Sequence, residues 1–310
     1  MYYKLFNDYH EYKFDNINHL DTLNKSNIEV LNCYNNKLTE LTHLPINLQY
    51  FDCSSNQLTE LPQLPPNLKY LNCNNNLLTQ FPDLSINLEL LYCNYNQLTQ
   101  LPELPSNLKM LYCSYNQLTQ LPQLPDSLKK IYCYNNQLTE LPQLPCNLIY
   151  LYCENNYLTK LHDLPDSLNQ FSCSYNQLTQ LTQLSDSLKY LYCDNNQLTQ
   201  LPKLLSNLNY LSCHNNQLTE LPQLPDSLIH LYCYHNKLTH LPILPSNLKN
   251  LYCYNNSKNL HKYLIHCKSL YIHKKYNKYR YMDILNDLLN YKIENYYYLE
   301  IIKYYDKKYY

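Results

Sequence analysis

Cysteine recurs at a constant interval along this chain. It stands at Cys33 and at every twentieth residue from there to Cys253, twelve times without a slip. A sequence that repeats with a period of 20–50 residues folds as a stack of small units, because each unit alone is too short to bury its apolar side chains. The repeat unit is therefore the starting point for every inference about the fold.

Numbered from the Leu two residues before each Cys, one copy reads L-x-C-x-x-N-x-L-T-x-L-P-x-L-P-x-x-L-x-x, as in Leu111–Lys130. Leu at position 1 and Cys at position 3 are two apart, which is the alternation of a β-strand. Leucines at positions 8, 11 and 14 and prolines at 12 and 15 recur every three residues, the period of a polyproline II helix. Two prolines exclude an α-helix there, because each removes a donor and clashes with the preceding turn. We therefore expect leucines on one face of this return segment and prolines on another.

Stacking such coils would join their strands into one long parallel sheet with the leucines inside. The invariant Asn at position 6, from Asn36 to Asn256, is expected to satisfy backbone groups of its own and the neighbouring coil, since an unpaired buried group costs about 1–3 kcal/mol. The predicted fold is a β-rich solenoid with a parallel concave sheet, a polyproline-II-like convex side and a helical C-terminal cap.

Three regions follow from the extent of the repeat. Residues 1–30 are predicted to form an N-terminal cap, and residues 31–256 hold eleven full repeats and a partial twelfth. Residues 257–310 form a basic tail, in which apolar residues at helical spacing predict a helix over 281–303. That helix would cover the last coil, or the tail would act as a separate interaction segment. Cys267 in this tail is interpreted as a capping residue.

The segment Leu108-x-x-Leu111-x-Cys113-x-x-Asn116-x-Leu118 resembles the signature of the leucine-rich repeat superfamily, with Cys in place of one Leu. The short period and the L-P-x-L-P return resemble the repeats of bacterial type III secretion effectors. The composition, rich in residues with AT-rich codons, is similar to repeat proteins of amoeba-infecting giant viruses. The resemblance covers about residues 17–256. It implies a horseshoe or superhelix that binds proteins on its concave face.

The column of cysteines raises two sharper interpretations. Zinc sites place ligands two to four residues apart, whereas these lie twenty apart with no carboxylate or His expected in the Leu-lined interior. Disulfides between neighbouring coils would need a torsion near 90°, which parallel Cβ vectors suit poorly. We interpret the column as small buried apolar side chains, and no metal or other cofactor is predicted.

Tyrosine marks the candidate binding surface. Position 2 lies between the inward-facing Leu and Cys, and with positions 20, 4 and 5 it places nineteen of the 37 tyrosines on one face. Tyrosine gives a large contact area with few torsions to fix, although it also packs well between strands for purely structural reasons. The residues singled out as partner-binding are Tyr92, Tyr112, Tyr132, Tyr134, Tyr150, Tyr152, Tyr190, Tyr192, Tyr232 and Tyr252.

Charge and composition narrow the function. The tail carries eleven Lys or Arg against five Asp or Glu, so residues 1–256 have a net charge of -7, which disfavours nucleic acid as a partner. The absence of Gly excludes Gly-dependent phosphate loops and nucleophile elbows. No signal peptide or membrane span is evident, and an intracellular location is predicted. The leading hypothesis is a protein-binding module in a virus–host or effector setting and not an enzyme. The alternatives are a ubiquitin-ligase adaptor acting through its tail and a structural virion protein.

Overall fold

The computed structural model describes residues 2–5, 12–13, 28–257 and 260. Fourteen strands form a single sheet, in which β3 to β14 follow one another in chain order and pair in parallel. The strands are β1 Tyr2–Leu5, β2 Tyr12–Lys13, β3 Ile28–Asn32, β4 Tyr50–Asp52, β5 Tyr70–Asn72, β6 Leu90–Tyr92, β7 Met110–Tyr112, β8 Lys130–Tyr132, β9 Tyr150–Tyr152, β10 Gln170–Ser172, β11 Tyr190–Tyr192, β12 Tyr210–Ser212, β13 His230–Tyr232 and β14 Asn250–Tyr252. The prediction of a β-rich solenoid with a parallel sheet is confirmed.

The strands from β4 onward are three residues long and stay in register along the stack. They occupy positions 20, 1 and 2 of the repeat, so Leu111 pairs with Leu91 on one side and with Ile131 on the other. The middle residue points into the core and is completely buried in these three strands. The first and third residues therefore point away from the core, as alternation along a strand requires.

The chain leaves each strand through a residue with a left-handed backbone. Position 5 has a φ between 49° and 56° in all twelve coils, from Asn35 to Asn255. Glycine would adopt this conformation without strain, but the chain has none. Asn, the next most tolerant residue, fills seven of the twelve places, and Tyr fills three.

The position-6 asparagines bridge neighbouring coils, as predicted. The Asn116 side-chain amide donates to the carbonyl of Cys113 in its own coil at 3.1 Å and to that of Cys93 in the preceding coil at 3.0 Å. Its Oδ1 accepts from the backbone N–H of Leu98 at 3.0 Å. The same contacts recur from Asn56 to Asn256 and hold the turns of successive coils together.

The return segments carry a second turn that the repeat pattern did not predict. The amide of Leu108 donates to the carbonyl of Pro105 at 3.0 Å, which turns the chain at positions 16 and 17 before the next strand. The expectation that prolines and leucines take separate faces is wrong at several coils. Pro65 and Pro145, both at position 15, are buried as the leucines are, whereas Pro62 and Pro142 at position 12 are only partly buried.

The cysteine column lies inside the solenoid. All twelve side chains are buried, and several thiols donate to a carbonyl of the next coil, as Cys93 does to Tyr112 at 3.3 Å. Burial raises the pKa of Cys33 and of Cys253 to about 12, so these thiols stay protonated at neutral pH. The thirteen cysteines that the structure describes are free thiols.

At the N-terminal end, β1 pairs antiparallel with β3, and β2 pairs antiparallel with β1. Most of the predicted cap over residues 1–30 lies outside the described residues. The predicted helix over 281–303 and Cys267 also lie outside them.

Candidate functional site

The face of the sheet turned away from the core carries all ten tyrosines that the sequence singled out. Seven of them are the third residue of their strand, whereas Tyr150 and Tyr190 are the first residue and Tyr134 follows β8 at position 4. Their side chains are partly exposed, in contrast to the buried residue between them. We call this surface, formed by positions 20, 2, 4 and 5, the tyrosine face.

Four rings in successive strands form a continuous stack, which we call the tyrosine ladder. Ring centroids lie 4.6 Å apart for Tyr92 and Tyr112, 4.4 Å for Tyr112 and Tyr132, and 4.7 Å for Tyr132 and Tyr152. Their interplanar angles lie between 7° and 19°. Because each ring covers the face of its neighbour, the ladder offers its edges and hydroxyl groups outward, while its π faces are hidden.

A second stack occupies the C-terminal coils and uses a residue outside the ten. Strand β12 ends in Ser212, which has no ring to place between Tyr192 and Tyr232. Tyr210, two residues earlier, fills the gap, with its centroid 4.7 Å from Tyr192 and 5.3 Å from Tyr232. Tyr232 then stacks on Tyr252 at 4.8 Å. Sequence position alone could not show that a position-20 ring would lean into the position-2 row.

The two stacks are separated by one polar coil. In β10 the outward residues are Gln170 and Ser172, and the Tyr152 hydroxyl donates to the Gln170 side-chain oxygen. Beside them lies Glu154, whose Oε2 is buried and has no hydrogen-bond partner among the described residues. Burial raises the pKa of this carboxyl above its usual value. The tyrosine face therefore consists of two aromatic segments with a polar, acidic boundary between them.

Beyond this boundary a Ser, a His and an Asp lie in contact. The Ser212 hydroxyl donates to Asp194 Oδ1 at 2.9 Å and lies 3.0 Å from His214 Nδ1, while His214 Nε2 lies 3.6 Å from Asp194 Oδ2. In a catalytic triad the His takes the serine proton and the Asp orients the His. Here the serine hydroxyl donates directly to the carboxylate, and Ser212 is only 3% exposed, so the three side chains form a structural cluster. Burial lowers the pKa of His214 despite the nearby Asp194.

A third group of rings lies where the strands end and extends the tyrosine face. Two of its members, Tyr95 and Tyr115, are not among the ten tyrosines singled out from the sequence. Tyr95 stacks on Tyr115 at 4.2 Å, and Tyr115 meets the edge of Tyr134 at 5.4 Å. Tyr95 and Tyr115 are 48% and 40% exposed and hold the left-handed position 5. A tyrosine in that conformation costs about 1 kcal/mol or more relative to glycine. These two rings thus hold a backbone position that Asn would adopt with less strain.

Three hydroxyls of the tyrosine ladder, those of Tyr112, Tyr132 and Tyr152, stay protonated over the physiological range. Burial, reinforced by the neighbouring hydroxyls, raises the pKa of Tyr112 to about 12, and the pKa of Tyr132 and that of Tyr152 are raised for the same first cause. These three hydroxyls therefore act as uncharged hydrogen-bond donors and acceptors.

The described part of the chain contains no group of three or more His, Cys, Asp or Glu side chains placed to bind a metal ion. Within the same residues, no helix has the length and apolarity needed to span a membrane.

The geometry agrees with the comparisons with known proteins. Residues 46–85 and 106–146 match the family model described as "Leucine Rich repeats (2 copies)", and residues 187–208 match the model "Leucine Rich Repeat". The effector YopM of Yersinia pestis is 36% identical over 74% of this chain and 78% of its own, with a TM-score of 0.56. The chain belongs to the leucine-rich repeat family.

Two further solved structures place this leucine-rich repeat protein within the family. YopM of Yersinia enterocolitica is 34% identical over 71% of this chain, with a TM-score of 0.60, and the chain spans 58% of that protein's length. The functional domain of InlJ from Listeria monocytogenes, described as including a cysteine ladder, is 25% identical over 75% of this chain and 69% of its own, with a TM-score of 0.50. No match was found among curated proteins. The Yersinia pestis protein is described as a leucine-rich effector protein.

Proposed function

We propose that this leucine-rich repeat protein is a binding module that engages a protein partner on its tyrosine face. The observation that carries the proposal is the continuous row of partly exposed tyrosines on the one face of the sheet that the core does not use. Stacked rings are already ordered, so a partner that binds them freezes few additional torsions. Tyr95 and Tyr115 add support, because they are exposed and hold a left-handed backbone position that Asn would adopt at lower cost.

The setting we propose is that of an effector inside a host cell, whether bacterial or viral in origin. The support is the similarity to YopM, which is described as a leucine-rich effector protein. The free thiols of the cysteine column fit a reducing compartment. The ligase-adaptor alternative depends on the tail beyond residue 260, which lies outside the described residues, and it stays a hypothesis from sequence.

The proposal is tested by comparing capture of host proteins by the wild type and by the variant Tyr112→Ala/Tyr132→Ala/Tyr152→Ala. The variant is expected to lose the partners that the wild type retains. A matched control is Tyr157→Ala, which removes a 52% exposed tyrosine at position 7, away from the tyrosine face. A second variant, Tyr112→Phe/Tyr132→Phe, keeps the stack and removes only hydroxyls. Equal recovery of the same partners by the triple Ala variant and the wild type would refute the role of this face.

A further inference from the structure

The tyrosine ladder limits the chemistry of what it can bind. Its ring faces are stacked at 4.4–4.7 Å, a separation that admits no further planar group between them. Nucleobases bind tyrosine through a free ring face, and so do cations. Within the ladder the faces that neighbouring rings turn to each other are covered, whereas the ring edges, which carry the positive end of the quadrupole, and the hydroxyls point outward. A ligand rich in hydrogen-bond acceptors therefore suits the ladder better than a base or a cation.

The charges beside the N-terminal part of the ladder favour the same kind of ligand. Lys130 is the first residue of β8 and lies on the tyrosine face, with its ammonium 5.0 Å from the centroid of Tyr150. Lys109 and Lys129 hold position 19, which directly precedes the strands. The backbone hydrogen bonding of the sheet continues there, since the Lys129 amide donates to the Lys109 carbonyl at 2.9 Å. Both side chains are exposed.

Acidic groups compensate only part of this charge. From residue 89 to residue 154, the two acids at positions 19, 20, 2 and 4 are Glu89 and Glu154. Glu89 is already bound to Lys109 at 2.5 Å. Glu154 lies at the polar boundary where the ladder ends. Lys129 and Lys130 are therefore left as cations on two consecutive residues, at the start of the strand that carries Tyr132.

We propose that this strip, formed by Tyr112, Tyr132, Lys109, Lys129 and Lys130, binds an extended acidic segment of a partner protein. Carboxylates of the segment pair with Lys129 and Lys130, and its backbone carbonyls accept from the tyrosine hydroxyls. From Tyr92 to Tyr152 the ladder crosses three strand intervals, about 14 Å, which is the span of about four residues of extended chain. The inference rests on the proposed function and specifies the chemistry of the partner at that surface.

The probe is a synthetic eight-residue peptide in which Glu alternates with Thr, compared by calorimetry with the same peptide carrying Gln for Glu. At low salt the Glu peptide is expected to bind the full chain about 5- to 10-fold more tightly, the gain that two exposed ion pairs provide. The variant Lys129→Gln/Lys130→Gln should abolish this preference. The charge-matched control Lys160→Gln/Lys249→Gln should retain it, because Lys160 lies on the return segment beside Glu140 and Lys249 at the far end of the sheet.

Equal affinity for the two peptides, or no measurable binding of the Glu peptide, would overturn the inference. Tighter binding of a single-stranded oligothymidylate than of the Glu peptide would overturn it in favour of nucleic acid. The proposed function is tested separately: if the triple Ala variant loses its host partners while the two peptides bind alike, the binding face stands and the acidic partner does not. If the Glu peptide binds as expected while the triple Ala variant keeps every partner, the proposed function fails instead.

Discussion

The position-6 asparagine offers the sharpest test of how the coils are held together, and Asn136 lies in the middle of the stack. Its amide donates to the carbonyls of Cys113 at 3.0 Å and Cys133 at 3.1 Å, and its Oδ1 accepts from the amide of Leu118 at 3.0 Å. Asn136→Ala removes these three hydrogen bonds and a longer one, of 3.4 Å, to the Tyr134 carbonyl. The free energy of unfolding is expected to fall by about 3 kcal/mol.

The size of this loss depends on which hydrogen bonds the partners of Asn136 keep in the variant. The Cys113 carbonyl still accepts from Asn116, and the Cys133 carbonyl still accepts from Asn156, so losing one bond costs each about 0.5–1.5 kcal/mol. Leu118 is fully buried, and its amide would be left without its side-chain acceptor, at about 1–3 kcal/mol. Together these losses give a range of about 2–6 kcal/mol.

Urea unfolding followed by far-ultraviolet circular dichroism measures the change, and amide hydrogen exchange at Leu118 reports it locally, because repeat proteins open coil by coil. The control is Asn107→Ala, an exposed asparagine with one 3.4 Å bond to Ile86, expected to change the free energy of unfolding by less than about 0.5 kcal/mol. Asn136→Asp tests the acceptor and donor functions of the side chain separately. It keeps the hydrogen bond from the Leu118 amide but places a carboxylate against two carbonyls, so its destabilisation should shrink as the pH falls and the carboxylate is protonated. A loss below about 1 kcal/mol for Asn136→Ala, or one equal to the control, would refute the bridging role.

Three further predictions concern other columns of the repeat. Tyr175→Asn should raise the free energy of unfolding by about 0.5–1 kcal/mol, because Tyr175 has a φ of 53° and is 57% exposed. Tyr115→Asn should raise it by less, since this variant also loses the stack on Tyr95. Destabilisation by Tyr175→Asn in urea unfolding would contradict the argument. In a Cys267→Ser background, a thiol reagent should label Cys146 alone in the native protein and the twelve column thiols only after denaturation, whereas fast labelling of a second thiol would show that the column is accessible. Glu154→Gln should raise the free energy of unfolding at pH 7, because the raised pKa of Glu154 means that its ionisation opposes folding. The gain should disappear near pH 4, where the carboxyl is protonated. A gain that is equal at both pH values would refute this cause.

The sequence predicted the parts of the fold that depend on one column of the repeat at a time. A strict period of twenty placed Leu111 and Cys113 inside one strand, and the invariant Asn116 at a turn that needed side-chain partners. It did not predict the left-handed position 5, because the usual signal is glycine and this chain spreads the position over Asn, Ser, Tyr and His. The turn at positions 16 and 17 was not predicted either, although Asp, Ser and Asn, which favour turns, fill these places in most coils.

The candidate site was harder to predict, because its properties arise between coils. Alternation showed that Tyr112 and Tyr132 face away from the core, but the hiding of their ring faces depends on a 4.4 Å separation that follows from strand register and rotamer together. Likewise, only the three-dimensional arrangement shows Tyr210 leaning into the space above Ser212.

The hidden ring faces of the tyrosine ladder change the chemistry expected of the partner. A list of tyrosines beside lysines is compatible with base stacking, which needs open rings. A closed ladder with a row of hydroxyls, beside the adjacent cations Lys129 and Lys130, instead favours carboxylates and carbonyls. The ladder stops at Glu154, where a carboxylate that already lacks a hydrogen-bond partner for one oxygen would repel an acidic segment. The preference for acid is therefore confined to the N-terminal aromatic segment, and a partner that spans both segments would have to change its charge at the polar coil between them.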